Sequence, residues 1–569
     1  MKKIPKRYLL YFGASLVCTV LLLYPYLVKD LLAIEHDTFF HLSRIEGMAM
    51  SMKNGEYLPS VYPLKNNGYG YASPLFYSDV LLMPAALLYT FGVSIAFCYK
   101  FTVFVFTLIS LFMTALYADR VTGNMPAACI ALTAFAFANY RITDIYVRGA
   151  LGEISAMMFL PVLLYGLYAV LYDSDAKGRM FVGAGLAGLV LSHNISFLFG
   201  VILTVIFFLL RAPGADPKDI RSLFEGILGA FFATAFFTLP MIEQLFSQRF
   251  NLNITGSDLA AYTMKPWQYI TNRTVFGYGN NDYARDMIMT VNPGWFLTAA
   301  PLLMRKKNTS GQQAAFLRDV RILGYVFLLL PCSLLPWQNM HFASIIQFPW
   351  RLVMPAMALL CVPAAIAVTQ ISGRAVFAAA VSLVLAAEGI WHVTPALTRT
   401  FGITSQTPYS ALVDGTLIDP YYSAYYVRTE LAGGDYLPLG SPDFREREPV
   451  IYTEDGPLDT ELRRLSTSIL FTLDDAHDFV ELPITYYKGY TIWKRDDIAG
   501  SYVTLPVIPS SSRLVSIRTA EPGQYMCIYQ RTGVQLFARQ ASILTMVFLY
   551  LGKNRYFLKR LGFTFGPKK

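Results

Sequence analysis

Three clusters of ionisable residues contain the side-chain types that group-transfer chemistry requires. The first is the segment 35–44, which holds Glu35, Asp37, His41 and Arg44. Asp37, His41 and Arg44 are spaced at i, i+4 and i+7, so a short helix would place all three on one face. A simpler interpretation makes Asp37 the N-cap of that helix. Because capping does not account for the imidazole and the guanidinium, the segment predicts a reactive carboxylate with polar neighbours.

The second cluster, 140–153, contains two arginines and two carboxylates: Arg141, Asp144, Arg148 and Glu153. Arginine forks match phosphate oxygens in a bidentate geometry, so this cluster is a candidate phosphate site. The alternative is a salt-bridged turn, whose exposed pairs would each contribute only about 0–1 kcal/mol.

The third cluster is Arg351, which follows Trp350, with His341 ten residues upstream. An aromatic residue beside an arginine is also typical of an anchor at the membrane surface, and this alternative stays open. His193 adds an isolated imidazole between two apolar runs. A carboxylate near such cations can act as a general base on an incoming hydroxyl group.

The elements that position these clusters are membrane helices. The chain has 569 residues, of which 54% are hydrophobic and only 15% are charged. Soluble domains carry roughly 25% charged residues, so a soluble multidomain enzyme is excluded. The net charge of +9 does not require a nucleic-acid partner, because basic residues of membrane proteins collect in cytoplasmic loops.

A spanning helix needs about 20 mostly apolar residues. About twelve segments qualify: 8–28, 96–117, 125–139, 154–172, 180–192, 197–211, 222–245, 288–304, 320–336, 350–370, 375–392 and 540–552. A further apolar run, 75–91, contains Asp79 and Pro84. If this run is re-entrant or interfacial, every short basic connection falls on the side of the basic N-terminus. We therefore expect both ends of the chain in the cytoplasm and the three clusters at the outer rim.

The same topology predicts the domains. Residues 1–392 form the membrane domain, with outer loops at 29–95 and 246–287. Residues 393–539 contain short runs of β-forming residues separated by turn signals, which predict an extracytoplasmic β-sandwich-like domain. Residues 540–569 form the last span and a basic tail. The expected fold is an α-helical polytopic membrane protein of the cytoplasmic membrane, with its active face outside.

Several motifs resemble those of a known group of proteins. They are the segments 36–45, 55–59, 68–71 with 76–77, 140–142 with 148–153, and 192–194. Together with an early acidic residue in the first outer loop, they resemble the GT-C glycosyltransferases. The closer resemblance is to bacterial membrane proteins labelled 6-pyruvoyl-tetrahydropterin synthase-related, and segment 482–490 is similar to the domain of YfhO-like proteins. A pterin enzyme is excluded, since nothing matches the small zinc-binding fold of the soluble pterin synthases.

The resemblance implies transfer of a sugar from a polyprenyl-phosphate donor to a glycan or lipid acceptor of the cell envelope. It places the base or acceptor-orienting role on Asp37, with Glu35 as the less favoured stand-in. It assigns the leaving phosphate to Arg148 and Arg351, with Arg141 and His193 as further candidates. The supporting residues are His41, Arg44, Asp144, Glu153 and His341.

A cofactor is not required by this resemblance. A divalent metal, Mg²⁺ or Mn²⁺, stays open, with Glu35 and Asp37 as its ligands. Two other functions also stay open: a flippase or exporter of lipid-linked saccharide, and a non-catalytic membrane protein of envelope assembly. The scarcity of charge within the spans argues against the exporter. The sequence does not identify the sugar, the acceptor, the lipid carrier, the protein partners or the oligomeric state.

Overall fold

The structure is a computed structural model. It describes residues 5–253, 258–270, 290–305, 311–400, 402–407, 410, 434–444, 446–465, 467–496 and 501–553. The predicted outer loop 246–287, the segment 393–450 and the basic tail lie partly outside these residues. Within them the chain is mostly helical, with a β-sheet domain before the last helix.

The N-terminal half of the described chain is built from helices that follow one another over short connections. They are α1 (Lys6–Leu22), α2 (Tyr24–Val28), α3 (Thr38–Lys53), α4 (Ser73–Phe76), α5 (Met83–Thr90), α6 (Ile95–Thr122), α7 (Met125–Ala136), α8 (Asn139–Thr143) and α9 (Leu151–Leu171). The second half of the membrane domain continues with α10 (Gly178–Ser192), α11 (Asn194–Arg211), α12 (Pro217–Ala233), α13 (Ala235–Ser247), α14 (Trp295–Ala299), α15 (Gly311–Leu329), α16 (Val353–Ile371) and α17 (Ala375–Val393). The last helix is α18 (Gly533–Lys553).

Five described helices are long and apolar enough to cross a membrane, or up to seven if each of two bent helix pairs is one span. The chain is thus a multi-pass membrane protein by the length and composition of its helices. The predicted number of about twelve spans and their orientation stay predictions. Several predicted spans form shorter helices: α1 has 17 residues, α10 has 15 residues and α14 has 5 residues.

The run 75–91 does not form one helix. It is divided among α4, a 3₁₀ turn at Val80–Leu82 and α5. The eight residues of α5 extend about 12 Å at 1.5 Å per residue, which is less than half of a bilayer's apolar thickness. Pro74 and Pro84 each stand in the first turn of their helix, where the missing N–H is tolerated. These breaks favour the re-entrant or interfacial placement over a full span.

Among the described residues, the β-sheet domain contains two five-stranded sheets. Their strands are β1 (Ile451–Thr453), β2 (Gly456–Leu458), β3 (Arg463–Leu465), β4 (Ser468–Leu473), β5 (His477–Thr485), β6 (Tyr490–Arg495), β7 (Tyr502–Leu505), β8 (Ile508–Pro509), β9 (Leu514–Ala520) and β10 (Gly523–Tyr529). The sheet orders are β2-β1-β5-β9-β8 and β3-β4-β10-β6-β7, and all strand pairs are antiparallel.

The core of this domain includes residues from the first outer loop. Phe76 stacks on Tyr436 at 5.1 Å between ring centroids and meets Phe250 edge-on at 4.7 Å. Val61 and Leu75 belong to the same buried cluster as the strand residues. The loop and the β-domain therefore bury one continuous apolar core.

Two helices form the centre of the membrane domain. The most apolar 18-residue segment of α9 is 89% buried inside the protein, and that of the helical stretch Pro349–Ile371 is 94% buried. Both begin at a predicted cluster: Glu153 lies in the first turn of α9, and Arg351 lies in the turn that opens α16. The most tightly packed helices thus hold the second and third clusters in place.

Candidate functional site

Glu153 joins the second and third clusters. Its Oε1 accepts hydrogen bonds from Nη1 of Arg148 at 2.8 Å and from Nε of Arg351 at 2.9 Å. Its Oε2 accepts a hydrogen bond from the hydroxyl of Tyr140 at 2.6 Å. Both guanidinium groups are nearly fully buried, so these ion pairs are shielded from water and are stronger than surface pairs. The second cluster is therefore part of a buried charged network and is not the exposed salt-bridged turn of the alternative interpretation.

The backbone before Glu153 is irregular. Residues Asp144–Arg148 form a π-helical turn, which ends at Gly149 in the left-handed region with φ of 58°. The turn brings Nη1 of Arg148 to within 2.5 Å of Oδ1 of Asp144. A side chain at Gly149 is excluded, because a Cβ there would lie 2.3 Å from Oγ1 of Thr38. Glycine thus lets the first cluster pack directly on the second.

Asp37 lies at this contact. Its backbone N–H donates a hydrogen bond to the carbonyl oxygen of Arg148 at 2.8 Å. Asp37 occupies the N-cap position of α3, yet its side chain makes no capping hydrogen bond. The half-buried carboxylate has no hydrogen bond or ion pair with any residue that the structure describes. Its function is therefore not accounted for by helix capping.

The electrostatics of Asp37 have two opposing causes. Burial raises the pKa of its carboxyl group above the usual 3.8, while nearby Arg148 and Arg351 favour the ionised form and oppose that rise. The net direction is upward. A carboxylate with a raised pKa is a stronger base than an exposed aspartate. Because the carboxylate of Asp37 has no hydrogen-bond partner in the described chain, its oxygens are free to accept a proton.

Two neutral imidazoles flank the same space. Burial lowers the pKa of His193 to about 3, and Arg351 adds to this shift. Burial, followed by the charge of Arg44, lowers the pKa of His41 well below 6.5. At neutral pH both side chains are uncharged. Nδ1 of His193 accepts from the N–H of Ser196 and Nδ1 of His41 accepts from Arg44, so each ring carries its proton on Nε2, which is a hydrogen-bond donor.

Tyr77 connects these imidazoles. Its ring lies 6.2 Å from the ring of His41 and 5.9 Å from the ring of His193, and its face covers the guanidinium of Arg44 at 4.1 Å. The space for its hydroxyl group is provided by Gly152, since a Cβ at that position would lie 1.6 Å from the hydroxyl oxygen. The sequence interpretation did not select Tyr77 as a site residue, although it falls in the motif 76–77.

The guanidinium of Arg44 is held in place by hydrogen bonds to neighbouring residues. Its Nε donates to Oδ1 of Asp79 at 2.5 Å, its Nη2 donates to the carbonyl of Ser78 at 2.6 Å, and its Nη1 contacts Nδ1 of His41 at 3.1 Å. The other oxygen of Asp79 accepts from the hydroxyl of Tyr62. These bonds attach α3 to the interrupted run 75–91 and orient His41.

No hydrogen bond or ion pair joins three of the predicted residues to Asp37 in the described chain. The carboxylate of Glu35 is buried against Arg399 at 3.1 Å. Arg141 donates to the carbonyl of Phe135 and to the hydroxyl of Ser110, inside the helix bundle. The side chain of His341 is exposed and has no hydrogen bond or ion pair with the described chain. Asp144, by contrast, belongs to the Arg148 network.

The metal site that the sequence left open, with Glu35 and Asp37 as ligands, stays a prediction. The carboxylate of Glu35 is paired with Arg399 at 3.1 Å, so a metal ion at Glu35 would compete with this ion pair. The chemistry below is derived from the side chains of the protein itself.

Four helices begin around Asp37. Asp37 precedes α3, Glu153 stands in the first turn of α9, His193 precedes α11 and Arg351 precedes α16. Each helix N-terminus carries partial positive charge, which favours an anion, although at α11 the N–H of Ser196 is already capped by Nδ1 of His193. The site thus combines the carboxylate of Asp37, which has no partner in the described chain, with helix N-termini that favour negative charge.

Comparisons with known proteins give distant likenesses. No protein-family model matches the chain. A protein of Lactococcus lactis subsp. cremoris (strain MG1363), described as uncharacterized, is 21% identical over 340 residues, which are 57% of this chain and 53% of that protein. The chain therefore spans about half the length of this relative.

Solved structures are similar over most of the chain at low identity. A mycobacterial arabinofuranosyltransferase AftD gives a TM-score of 0.48 at 13% identity, covering 93% of this chain and 40% of that one. The oligosaccharyltransferase AglB from Archaeoglobus fulgidus gives a TM-score of 0.33 at 13% identity, covering 76% and 61%. Both TM-scores are below 0.5, so these likenesses are too distant to define a fold or a function.

Proposed function

We propose that the protein is a GT-C-type glycosyltransferase of the cytoplasmic membrane, acting on its outer side. It transfers a sugar from a polyprenyl-phosphate donor to a hydroxyl group of a cell-envelope glycan or lipid. The observation that carries this proposal is the free, half-buried carboxylate of Asp37 beside the arginines that Glu153 joins. The motif resemblance supports the same chemistry, whereas fold alone would not specify it.

Asp37 is suited to be the base. Its carboxylate is near Arg148 and Arg351 but has no described hydrogen-bond partner, so it can accept a proton without first breaking a bond. Its raised pKa brings its basicity closer to neutral pH. A structural aspartate at an N-cap would instead be bonded to the first turn of its helix.

The two arginines are suited to hold the phosphate, although Glu153 already neutralises part of their charge. Arg148 uses Nη1 for both carboxylates, and Arg351 uses Nε for Glu153 and Nη1 for Gln347 and a backbone carbonyl. Nη2 of each arginine has no hydrogen bond to the described chain. These remaining donors and the four helix N-termini supply the stabilisation of a leaving phosphate.

The reaction is a single displacement at the anomeric carbon. The carboxylate of Asp37 takes the proton of the acceptor hydroxyl, and the oxygen of that hydroxyl bonds to the anomeric carbon. The bond between that carbon and the phosphate oxygen breaks, and the lipid phosphate leaves with the electron pair. Neutral His193 and His41 donate hydrogen bonds to the sugar from Nε2, since Nδ1 of each ring already accepts from Ser196 or Arg44.

A transfer assay tests the function. Purified protein in liposomes that contain radiolabelled polyprenyl-phosphate sugars should move label to an added envelope fraction and release polyprenyl phosphate. Mass spectrometry of lipid-linked intermediates in a deletion strain should identify the accumulated donor and the unmodified acceptor. Movement of the intact donor across the membrane without a glycosyl product would instead indicate an exporter. Absence of both activities across the donors that accumulate would indicate a non-catalytic assembly protein.

A further inference from the structure

A groove separate from the Asp37 site lies between the first outer loop and the last helix. It is lined on one side by Leu58, Leu75 and Asp79 and on the other by Phe237, Arg531 and Arg539, and the space between them, including the part open to solvent, is about 630 Å³. Neither Asp37 nor the arginines of the candidate site line it. The predicted topology places this groove at the outer rim of the membrane.

One wall of the groove is the pair α13 and α18. The break at Thr234 frees the N–H of Phe236, which donates to Oγ of Ser542 on α18 at 2.9 Å. Glu243 accepts from the hydroxyl of Thr532 at 2.7 Å, near the start of α18. These polar bonds hold two apolar helices together and present Phe237 to the groove.

The charge in the groove is positive. Arg531 donates to Oε1 of Glu56 and to the carbonyl of Leu58, both at 3.2 Å, so its charge is largely balanced. Asp79 is balanced by Arg44. The side chain of Arg539 is exposed and has no hydrogen bond or ion pair with any described residue, and Glu56 is close enough for its carboxyl group to be influenced by the charge of Arg539. A second guanidinium thus faces the groove beside Arg531.

Gln535 adds a second polar feature. Its side chain is only 4% exposed, and its Nε2 donates to the hydroxyl of Tyr529 at 2.9 Å. Its Oε1 is buried and has no partner in the described chain. A buried acceptor without a donor is unfavourable by about 1–3 kcal/mol, so this atom is suited to a hydroxyl group of a ligand.

We propose that this groove binds one anionic membrane lipid whose head group carries both a phosphate and a hydroxyl. The phosphate lies at Arg539 and Arg531, the hydroxyl donates to Oε1 of Gln535, and the chains lie along α13 and α18. The groove offers apolar contacts for such chains at Leu58, Leu75 and Phe237. The proposal does not depend on the glycosyl-transfer function.

The test is native mass spectrometry of the full-length protein in a neutral detergent, titrated with phosphatidylglycerol. Wild type should bind one phosphatidylglycerol at least about tenfold more tightly than phosphatidylcholine. Arg539→Gln should bind the two lipids about equally. Arg539→Lys should keep most of it, because a phosphate needs only a point charge here. Arg374→Gln, which removes an exposed arginine outside the groove, should behave as wild type. Equal thermal unfolding of all variants excludes misfolding.

Two results would overturn the proposal. In the first, Arg539→Gln binds phosphatidylglycerol as tightly as wild type does, or Arg374→Gln loses as much binding as Arg539→Gln. Either outcome would mean that the groove is not the binding site. The other is displacement of the lipid by sn-glycerol 3-phosphate at equal concentration, which would assign the groove to a soluble phosphate.

Discussion

At the scale of the residue, Asp37 combines two properties that rarely occur together. It stands at a helix N-cap, and its carboxylate nevertheless has no described hydrogen bond. An aspartate at this position normally satisfies one of the free N–H groups of the helix. At the start of α3 the N–H of Thr38 instead donates to the backbone carbonyl of Glu35, and the N–H of Asp37 donates to the carbonyl of Arg148. The side chain is thereby left for chemistry.

The raised pKa of Asp37 predicts the pH dependence of transfer. The base works only when ionised, so kcat/KM should fall as the pH decreases through that pKa. Because burial moves the pKa upward from 3.8, the acidic limb should lie above pH 3.8. The measurement is kcat/KM under limiting donor from pH 4 to 8. A flat profile across this range would contradict the assignment of Asp37 as the base.

The topology predicted from the sequence puts Asp37, Arg148, Arg351 and His193 at one common rim, although they are far apart in the chain. Asp37, His193 and Arg351 precede helices, and Arg148 ends the π-helical turn before α9. Their roles are still proposals. The positions of Glu35, Arg141 and His341 could not be predicted in this way, because partners such as Arg399 are identified only by tertiary contacts.

At the scale of the element, the segment 148–153 depends on glycines that leave room for neighbours. Gly152→Ala should displace Tyr77, because the new Cβ would lie 1.6 Å from its hydroxyl oxygen. We expect a clear loss of transfer and a lower melting temperature. Gly152→Ala combined with Tyr77→Phe should recover part of the melting temperature, since the closest atom is removed.

The matched control for this substitution is Gly13→Ala in α1. No atom lies within 4 Å of a Cβ at Gly13, so alanine there should leave transfer unchanged and favour the helix slightly. Equal losses in Gly13→Ala and Gly152→Ala would mean that the contact with Tyr77 is not the cause.

The elements differ in how far their sequence predicts them. The sequence predicts seven β-runs, at 449–453, 468–473, 479–483, 491–494, 502–506, 514–518 and 524–530. They correspond to β1, β4, β5, β6, β7, β9 and β10, because each has a β-rich core and a turn signal at its end. The edge strands β2, β3 and β8 have only two or three residues and no such pattern. The irregular turn at Asp144–Arg148 carries no local signal either, since its shape depends on packing against Thr38.

At the scale of the whole molecule, the first outer loop and the β-domain share a core. Phe76→Ala should destabilise this junction by about 3–5 kcal/mol, since a fully buried aromatic ring is lost. We expect faster limited proteolysis in the β-domain and a lower melting temperature. Phe91→Ala is the control, because its ring is 78% exposed. Similar proteolysis of both variants would argue against a shared core.

The orientation of the molecule in the membrane can be tested by cysteine labelling. In a background without native cysteines, Lys177→Cys should react with a membrane-impermeant reagent only after the cells are permeabilised. Asp475→Cys, in an exposed turn of the β-domain, should react in intact cells. Labelling of position 177 from outside would contradict the predicted topology and would place the candidate site on the other face.

The most direct test of the proposed reaction is transfer by Asp37→Asn. This substitution keeps the size of the side chain and removes the proton acceptor, so the turnover rate should decrease by about 10²–10⁴-fold. The melting temperature should stay near that of wild type, because no described hydrogen bond is lost. Asp475→Asn, which removes an exposed carboxylate, should retain full transfer. Full activity of correctly folded Asp37→Asn would contradict the proposed role of this residue as the base.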